Sequence, residues 1–140
     1  MIIKIQKIDS KAMIPNYANK DDAGLDFYSA EDIVLKPGQR QAIGTGIKME
    51  IPAGYVGLVW DKSGLAVKNG IKTMAGVVDA GYRGEIKVVL INLGQEDFIM
   101  KKNSKIAQML IQKIEHPQIE IVSELNESQR GENGFGSTGV

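Results

Sequence analysis

Short apolar runs separated by turn residues make up most of the chain, and this is the pattern of β-strands. Polar and apolar positions alternate over residues 47–51 up to Pro52, and the next run follows the turn Pro52-Ala53-Gly54. Strand-sized runs that recur about every 8–12 residues are typical of an all-β sandwich or barrel. The sequence therefore predicts strands within residues 2–8, 33–35, 47–51, 55–60, 86–93 and 119–122.

Two segments have features of a helix instead. By periodicity alone residues 104–115 are predicted to be helical, because apolar side chains recur there at helical spacing. These side chains are Ile106, Ala107, Leu110, Ile111 and Ile114. Residues 63–69 are a candidate for a short helix. No apolar pattern remains beyond residue 125, so we predict one domain over 1–125 and a tail over 126–140 that is disordered without a ligand.

Composition excludes several classes of function. The 140 residues suit a single domain, and the 43% apolar and 24% charged residues are ordinary for a globular protein. Lys+Arg and Asp+Glu each number 17, so overall charge gives no argument for a nucleic-acid or membrane partner. Cysteine is absent, which excludes disulfides and thiolate metal sites and fits a reducing compartment. We find no signal peptide and no run of ~18 apolar residues, so the cytoplasm is the expected location.

The glycine-rich segment RGENGFGSTGV, residues 130–140, resembles a phosphate-binding loop but lacks the rest of one. Residues 134–139 match GxGxxG, yet no helix follows to hold a pyrophosphate at its N-terminus. A P-loop is excluded as well, because Ser137 stands where its lysine belongs. A tail with one arginine, two hydroxyls and one ring remains, and it can close only over a ligand that is bound elsewhere.

The stretch GVVDAGYRGEI, residues 76–86, carries the strongest candidate for acid–base chemistry. Asp79 follows an apolar run and precedes a glycine turn, so we place it at the end of a buried strand, on a hairpin. A carboxylate there can take a proton from a water that is held beside it. Taken alone, however, Asp79 is more typical of a turn aspartate and Tyr82 of a packing ring.

Other polar residues are equally ambiguous when taken singly. Ser63 and Gly64 offer a hydroxyl and bare amides to a phosphate if they start a helix, but they also suit a plain helix start. Asp26, Gln108 and Arg130 would each pass as surface or capping residues, and Trp60 as a core or interface ring. His116, the single histidine, has no evident partner and is interpreted as solvated. No group of side chains has metal-ligand spacing.

Taken together, these stretches resemble the five short motifs of the trimeric dUTP diphosphatase (dUTPase) family, in the same order. The matching stretches are AGLDF at 23–27, SGLA at 63–66, GVVDAGYRGEI at 76–86, KIAQM at 105–109 and RGENGFGSTG at 130–139. The resemblance covers nearly the whole chain. It implies an all-β, distorted jelly-roll barrel with at most one short helix, closed into a homotrimer with shared active sites. Because KIAQM lies in a strand in this family, the resemblance also changes the prediction for 104–115 from helix to strand.

The resemblance further implies the hydrolysis of dUTP to dUMP and pyrophosphate. Asp79 matches the residue that activates the attacking water, and Gln108 matches a residue near that water and the α-phosphate. Tyr82 matches the ring that packs on deoxyribose and excludes a 2′-hydroxyl. The hairpin with Gly76 and Val77 matches the one whose backbone recognises uracil.

The phosphate-binding residues follow from the same resemblance. Ser63 and Gly64 match the phosphate-binding pair, and Asp26 matches an aspartate that supports the water shell of the metal or the architecture of the site. Mg²⁺ is implied as a cofactor held by the substrate phosphates and water rather than directly by the protein. In the tail, the implied contacts are Arg130 with the γ-phosphate, Phe135 with uracil, and Ser137 and Thr138 with phosphate oxygens; Gly136 is also implied to bind the substrate.

The sequence departs from the family pattern at three positions. The second motif usually reads Pro-Arg-Ser-Gly, whereas here Asp61 and Lys62 precede Ser63. Lys62 keeps the positive charge without the planar fork of arginine, and Asp61 is expected to add a negative charge close to the phosphate site. Asn133 replaces a family glycine, and asparagine tolerates a left-handed backbone.

Two other functions are compatible with this fold. A dCTP deaminase has a similar hairpin but a catalytic glutamate where this chain has Val89, so deamination is disfavoured. A nucleotide-binding regulatory relative with weak catalysis is the second alternative, because Asp61 and Lys62 alter the phosphate motif. Release of ammonia from dCTP, or binding of dUTP without release of pyrophosphate, would distinguish them.

Overall fold

Three antiparallel sheets and one short helix form the fold in the computed structural model, which describes residues 1–134. The strands are β1 (Lys4–Lys7), β2 (Leu25–Tyr28), β3 (Ile33–Leu35), β4 (Arg40–Glu50), β5 (Tyr55–Trp60), β6 (Ile71–Met74), β7 (Val77–Asp79), β8 (Glu85–Asn92), β9 (Phe98–Met100) and β10 (Lys105–Lys113). The helix, α1, spans Ser63–Asn69 between β5 and β6.

The two larger sheets enclose one hydrophobic core. Their strand orders are β1-β4-β8-β6 and β2-β10-β5-β7, and β3 pairs with β9 as a separate ribbon. Phe27, Ile43, Leu90 and Met109 come from both sheets and are fully buried between them. This arrangement confirms the distorted jelly-roll barrel with one short helix. No helix in the described part of the chain is long and apolar enough to cross a membrane.

Most of the strands predicted from hydrophobic pattern are present, with shifted ends. The run at 55–60 coincides with β5, and the run at 86–93 becomes β8, in which side chains alternate between core and surface. Strand β4 is longer than the strand predicted at 47–51. It begins at Arg40 and continues through Gly44 and Gly46. Its register against β8 shifts between Gly44 and Lys48, and such an irregularity interrupts the alternation that marks a strand in sequence.

Residues 104–115 form a strand, as the resemblance implied, and not the helix that periodicity indicated. Strand β10 lies between β2 and β5 in its sheet. A register shift between Lys105 and Ala107 leaves both Ile106 and Ala107 buried, with Met109 buried two residues later. Because the bulge places two consecutive side chains inside, the pattern imitates the spacing of a helix.

The short helix at 63–69 is confirmed, and its end is encoded locally. Gly70 takes a left-handed conformation with φ of 67°, and its N–H donates to the Ala66 carbonyl. Only glycine adopts this conformation without strain, which is why helices commonly end in this way. The helix therefore stops where β6 begins and holds its first turn, at Ser63 and Gly64, beside the end of β5.

The strand predicted at 119–122 is wrong. This segment is not paired with any strand in the described chain, and the exposed fractions of Ile119 and Ile121 are 93% and 96%. A run of β-branched residues becomes a strand only where a sheet edge accepts its backbone hydrogen bonds. Among residues 1–134, no sheet edge pairs with this segment.

Candidate active site

A cavity of about 480 Å³ opens beside the ends of β2, β5 and β10. It brings together residues from the first, second and fourth stretches singled out in the sequence. Its lining comprises Ala18, Asp22, Ala23, Gly24, Asp26, Trp60, Asp61, Lys62, Lys105, Gln108 and Leu110. We call it the lysine cavity, because two lysines, Lys62 and Lys105, supply its positive charge.

Asp26 is the buried centre of the lysine cavity. Its Oδ1 accepts a hydrogen bond from Lys62 Nζ at 2.5 Å, and its Oδ2 lies 2.6 Å from Lys105 Nζ. Burial by itself would raise the pKa of this carboxyl, but the hydrogen bonds from Lys105 and Lys62 outweigh it and hold the pKa below its ordinary value. Asp26 is therefore an ionised clamp that fixes two ammonium groups at the cavity.

Gln108 lies directly opposite Asp26 on one side and Trp60 on the other, so the three side chains share one face of the sheet. Its Nε2 donates to the Asp61 carbonyl at 2.8 Å. A Cβ atom on residue 24 would lie 2.0 Å from Gln108 Oε1, so glycine at that position leaves room for the amide. The sequence AGLDF thus supplies both the clamp and the space beside it.

Asp61 does not add a free negative charge to the phosphate side, which corrects the expectation from its sequence position. Its Oδ1 accepts hydrogen bonds from the backbone N–H and the hydroxyl of Thr73, at 2.6 and 2.7 Å. Its Oδ2 lies 2.9 Å from Lys72 Nζ. The carboxylate is thus committed to β6, and it ties the start of α1 to that strand.

Replacing Asp61 by alanine is expected to lower the free energy of unfolding by about 2–3 kcal/mol at neutral pH, because buried Thr73 loses its acceptor. Burial raises the pKa of Asp61, but hydrogen bonds from Lys72 and Thr73 lower it further, so the folded value is depressed. This contribution is therefore present above about pH 4 and is lost as pH falls through the folded pKa. Urea unfolding at pH 7 and pH 3, at one protein concentration, measures both effects.

Lys72→Met is the matched control for Asp61→Ala. It removes only the ion pair, whose lysine side chain is 50% exposed, and should cost less than about 1 kcal/mol. Equal stability of the Asp61→Ala variant and the parent chain at pH 7 would contradict the structural role of Asp61.

Ser63 and Gly64 form the first turn of α1, next to Lys62. Among residues 1–134, no group accepts a hydrogen bond from the backbone N–H of either residue, whereas the next two N–H groups donate to the Lys62 carbonyl. A Cβ atom on residue 64 would meet nothing within 4 Å. The predicted phosphate-binding pair is therefore open to an approaching ligand, although neither residue lines the lysine cavity itself.

A second cavity of about 190 Å³ lies beside the turn that joins β7 to β8 and contains the other predicted chemistry. We call it the hairpin cavity, after the hairpin predicted for residues 76–86; it is lined by Ala75, Val77, Val78, Asp79, Tyr82, Glu85, Ile86 and Lys87. The Asp79 carbonyl accepts a hydrogen bond from the Tyr82 N–H at 3.0 Å, and the Tyr82 hydroxyl donates to the Glu85 carbonyl at 3.0 Å. Both side chains are exposed at its mouth.

Two glycines allow close contacts around β7 and the turn that follows it. The Gly76 carbonyl accepts a hydrogen bond from Val59 N–H at 2.7 Å, and a Cβ atom on residue 76 would lie 2.7 Å from the Val59 carbonyl oxygen. A Cβ atom on residue 84 would lie 2.3 Å from the Tyr82 hydroxyl. Glycine at these positions therefore lets the backbone approach β5 and lets the Tyr82 ring fold over the turn.

Asp79 ends strand β7, but this strand is neither buried nor paired with β8 in the hairpin that the sequence suggested, because β7 pairs with β5 whereas β8 pairs with β4 and β6. Strand β7 is at the edge of its sheet, and 67% of Val77 is exposed. The apolar run 75–78 therefore lies largely on the surface of this single subunit. An exposed apolar edge beside a candidate base indicates that something else covers it.

The two cavities are well separated within one subunit. Asp79 pairs with Val56 of β5, whereas Gln108 pairs with Trp60 of the same strand. Four residues along the strand and two strand spacings across the sheet place their backbones roughly 16 Å apart. One water molecule cannot contact both side chains at that separation.

The described part of the tail approaches neither cavity. Arg130 Nε donates to the Asn133 carbonyl at 2.8 Å, and none of residues 111–134 lines either cavity. Asn133 is not among the residues with positive φ, so its backbone does not require the family glycine. Phe135, Gly136, Ser137 and Thr138 lie outside the described residues.

Lys105 is the site residue that sequence reasoning missed. It opens the stretch KIAQM, in which Gln108 alone was selected, and it belongs to the lysine cavity through Asp26. Lys105 lies far from Lys62 in the sequence, so their spacing does not indicate that they share a site. Only the pairing of β10 with β2 brings Lys105 and Asp26 together.

Comparison with known proteins assigns the family. The family model for dUTPase matches residues 10–139. The deoxyuridine 5′-triphosphate nucleotidohydrolase of Clostridium kluyveri is 50% identical over 142 residues, which cover 100% of this chain and 99% of that protein. The protein of the same name from Nautilia profundicola is 47% identical over 141 residues, covering 99% of each.

Solved dUTPase structures share the fold. A mutant dUTPase of Staphylococcus bacteriophage 80alpha, solved with dUpNHpp, matches with a TM-score of 0.93 at 30% identity over 99% of each chain. A mutant dUTPase from phage phi11 of S. aureus matches with a TM-score of 0.84 at 27% identity, over 91% of this chain and 100% of that one. The phi11 structure concerns the coordination of a structural Mg(II) ion.

Proposed function

The chain belongs to the dUTPase family and hydrolyses dUTP, and we propose that Asp79 activates the water that attacks the α-phosphate. The products are dUMP and pyrophosphate. The observation that carries this assignment of the base is the position of Asp79 at the mouth of the hairpin cavity, beside Tyr82. We expect the reaction to limit uracil incorporation into DNA and to supply dUMP in the cytoplasm.

The hairpin cavity selects the nucleoside in this proposal. The Tyr82 ring, fixed by its hydroxyl on the Glu85 carbonyl, packs against deoxyribose and leaves no room for a 2′-hydroxyl. The backbone at Gly76 and Val77 binds the uracil edge, where close approach to β5 excludes a methyl group. Both discriminations depend on tight backbone, which is what the two glycines of the hairpin provide.

The lysine cavity and the first turn of α1 bind the triphosphate. Ser63 and Gly64 donate their open amides to phosphate oxygens, and Lys62 adds positive charge. Gln108 orients the α-phosphate and the attacking water, while Asp26 holds the cations in place. Attack at phosphorus requires a water in line with the leaving group and neutralised phosphate charge, and these groups supply both.

Mg²⁺ fits this site through the substrate rather than through a protein cage. Within residues 1–134, no group of three His, Asp or Glu side chains is placed to hold a metal ion. Both carboxylate oxygens of Asp26 contact lysines, so they are not free to bind a metal ion directly. Mg²⁺ prefers six oxygen ligands in octahedral geometry and keeps several waters, so it needs few protein ligands. Phosphate oxygens and water would hold the ion, with Asp26 supporting its water shell. When bound, it neutralises charge that develops on the phosphates.

A homotrimer with shared active sites brings Asp79 of one subunit close to Gln108 of another. The cavities are too far apart in one subunit for Asp79 and Gln108 to act on one water, so the hairpin of one copy must face the lysine cavity of another. Exposed apolar side chains support such contacts: Trp60 at 52%, Val77 at 67% and Leu125 at 88% exposure. Exposed apolar side chains of this size are typical of surfaces that contact another chain.

The glycine-rich tail, residues 126–140, closes over a site built by other subunits. Arg130 binds the γ-phosphate, Phe135 stacks on uracil with Gly136 beside it, and Ser137 and Thr138 bond phosphate oxygens. Arg130 is exposed to solvent and lines neither cavity of its own subunit, which supports this arrangement. Closure excludes water during the reaction, and opening releases the products.

Pyrophosphate release with Mg²⁺ from dUTP, UTP, dTTP and dCTP tests the function. We expect rapid release from dUTP and at least about a hundredfold lower kcat/KM for the other three, because each adds a clash or leaves a polar group unpaired. Ammonia release from dCTP would identify a deaminase instead. Normal dUTP binding without pyrophosphate release would identify a regulatory relative.

A further inference from the structure

Lys105 is a second cation on a carboxylate that already has one. Its Nζ lies 2.6 Å from Asp26 Oδ2, while Lys62 Nζ occupies Oδ1 at 2.5 Å. The Lys105 side chain is 40% exposed, whereas that of Asp26 is 4% exposed. One end of the ion pair is thus buried, and the other faces the lysine cavity.

A purely structural role would not need both lysines. A buried aspartate is compensated by one hydrogen-bonded cation, and Lys62 already provides it. The second ammonium leaves the triad of Asp26, Lys62 and Lys105 with one net positive charge, at the wall of an open cavity of about 480 Å³ that Asp22 and Asp61 also line. An ammonium has three N–H donors, and within residues 1–134 Asp26 is the partner of Lys105.

We propose that Lys105 is a substrate-binding residue that donates to the β- and γ-phosphates of dUTP and to the departing pyrophosphate. This role rests on the proposed function of the lysine cavity as the phosphate side of the site. Asp26 raises the pKa of Lys105 through their hydrogen bond, so the ammonium stays charged when a phosphate arrives. Negative charge grows on the β-phosphate as the α–β bridging bond breaks, so the same contact favours the leaving group.

The test compares Lys105→Gln with Lys105→Arg in the full chain. Glutamine can still donate a hydrogen bond to Asp26 but carries no charge, and arginine keeps both. Lys101→Gln is the matched control, because Lys101 pairs with Asp32 at 3.1 Å on the surface and lines neither cavity. Calorimetry would measure the affinity of each variant for dUMP, for pyrophosphate with Mg²⁺ and for an α,β-imido analogue of dUTP.

We expect Lys105→Gln to weaken the imido analogue and pyrophosphate by about ten- to a hundredfold, the range for a lost hydrogen bond to a charged group. Binding of dUMP should change less than about twofold, since the α-phosphate is bound elsewhere. Lys105→Arg and Lys101→Gln should resemble the parent chain.

Equal weakening of dUMP and the imido analogue would show that Lys105 only positions Asp26, and unchanged binding of all three ligands would exclude any role. Either result overturns the proposal. Failure of the proposed function would be seen separately, as an absence of pyrophosphate release from dUTP by the parent chain. The affinities of the imido analogue and pyrophosphate report on Lys105 in either case.

Discussion

Asp79→Asn should reduce kcat for dUTP hydrolysis by about a hundred- to ten-thousandfold, the contribution typical of a positioned general base. An amide of the same shape can hold a water but cannot take its proton. The turn after β7 should survive the change, because Asp79 supports it through its backbone carbonyl, which accepts from the Tyr82 N–H. Steady-state pyrophosphate release at saturating dUTP measures the loss, and calorimetry with dUMP should show affinity within about threefold of the parent.

Asp21→Asn is the control for this change. Asp21 is an exposed aspartate in the loop before β2 and lines neither cavity, so its variant should keep full activity. Turnover by the Asp79→Asn variant at the parental rate would remove Asp79 from the mechanism. A parallel loss of dUMP affinity would assign it to binding rather than to proton transfer.

Local chemistry explains which parts of the fold the sequence predicted. Strand β5 is bounded by a turn at Pro52-Ala53-Gly54, and α1 ends at Gly70 in the conformation that glycine favours. Such signals act within a few residues, so they can be found without knowing the fold. Hydrophobic pattern predicted a helix at 104–115 because Ile106 and Ala107 are both buried. A bulge that forms only when β10 pairs with β2 places them there together.

Long-range pairing decided the parts that could not be predicted. The negative charge of Asp61 was expected at the phosphates, but hydrogen bonds to Thr73, twelve residues away, direct it to β6. Lys105 joins the site only through Asp26, on a strand far from it in sequence. The segment 119–122 has the composition of a strand but pairs with no strand among residues 1–134, so composition alone does not specify its structure.

Shared active sites predict that two inactive variants restore each other. Arg130→Ala should lower kcat/KM strongly by removing the cation from the γ-phosphate, and a chain ending at Leu125 should lose the lid altogether. In mixed trimers, the Arg130→Ala subunit still offers an intact Asp79, and the Asp79→Asn subunit still offers an intact tail. A site that takes these groups from different subunits is complete whenever the right copies meet.

The fraction of activity that returns shows whether Asp79 and Arg130 of one site come from the same subunit or from different subunits. In mixed trimers of the two full-length variants, about a third of the sites contain both intact residues if Asp79 and Arg130 come from different subunits, because only one of the three sites in each trimer receives the two variants in the right order. If one subunit supplies both residues, every site carries one of the changes and no activity returns.

Co-expressed Asp79→Asn and Arg130→Ala chains with separable tags, purified as mixed trimers and assayed for pyrophosphate release, give this fraction directly. A mixture of Asp79→Asn with parental chains checks that co-assembly does not itself impair the sites, because activity should fall only in proportion to the mutant share. Mixed trimers that stay as inactive as either variant would show that the tail closes over the hairpin of its own subunit.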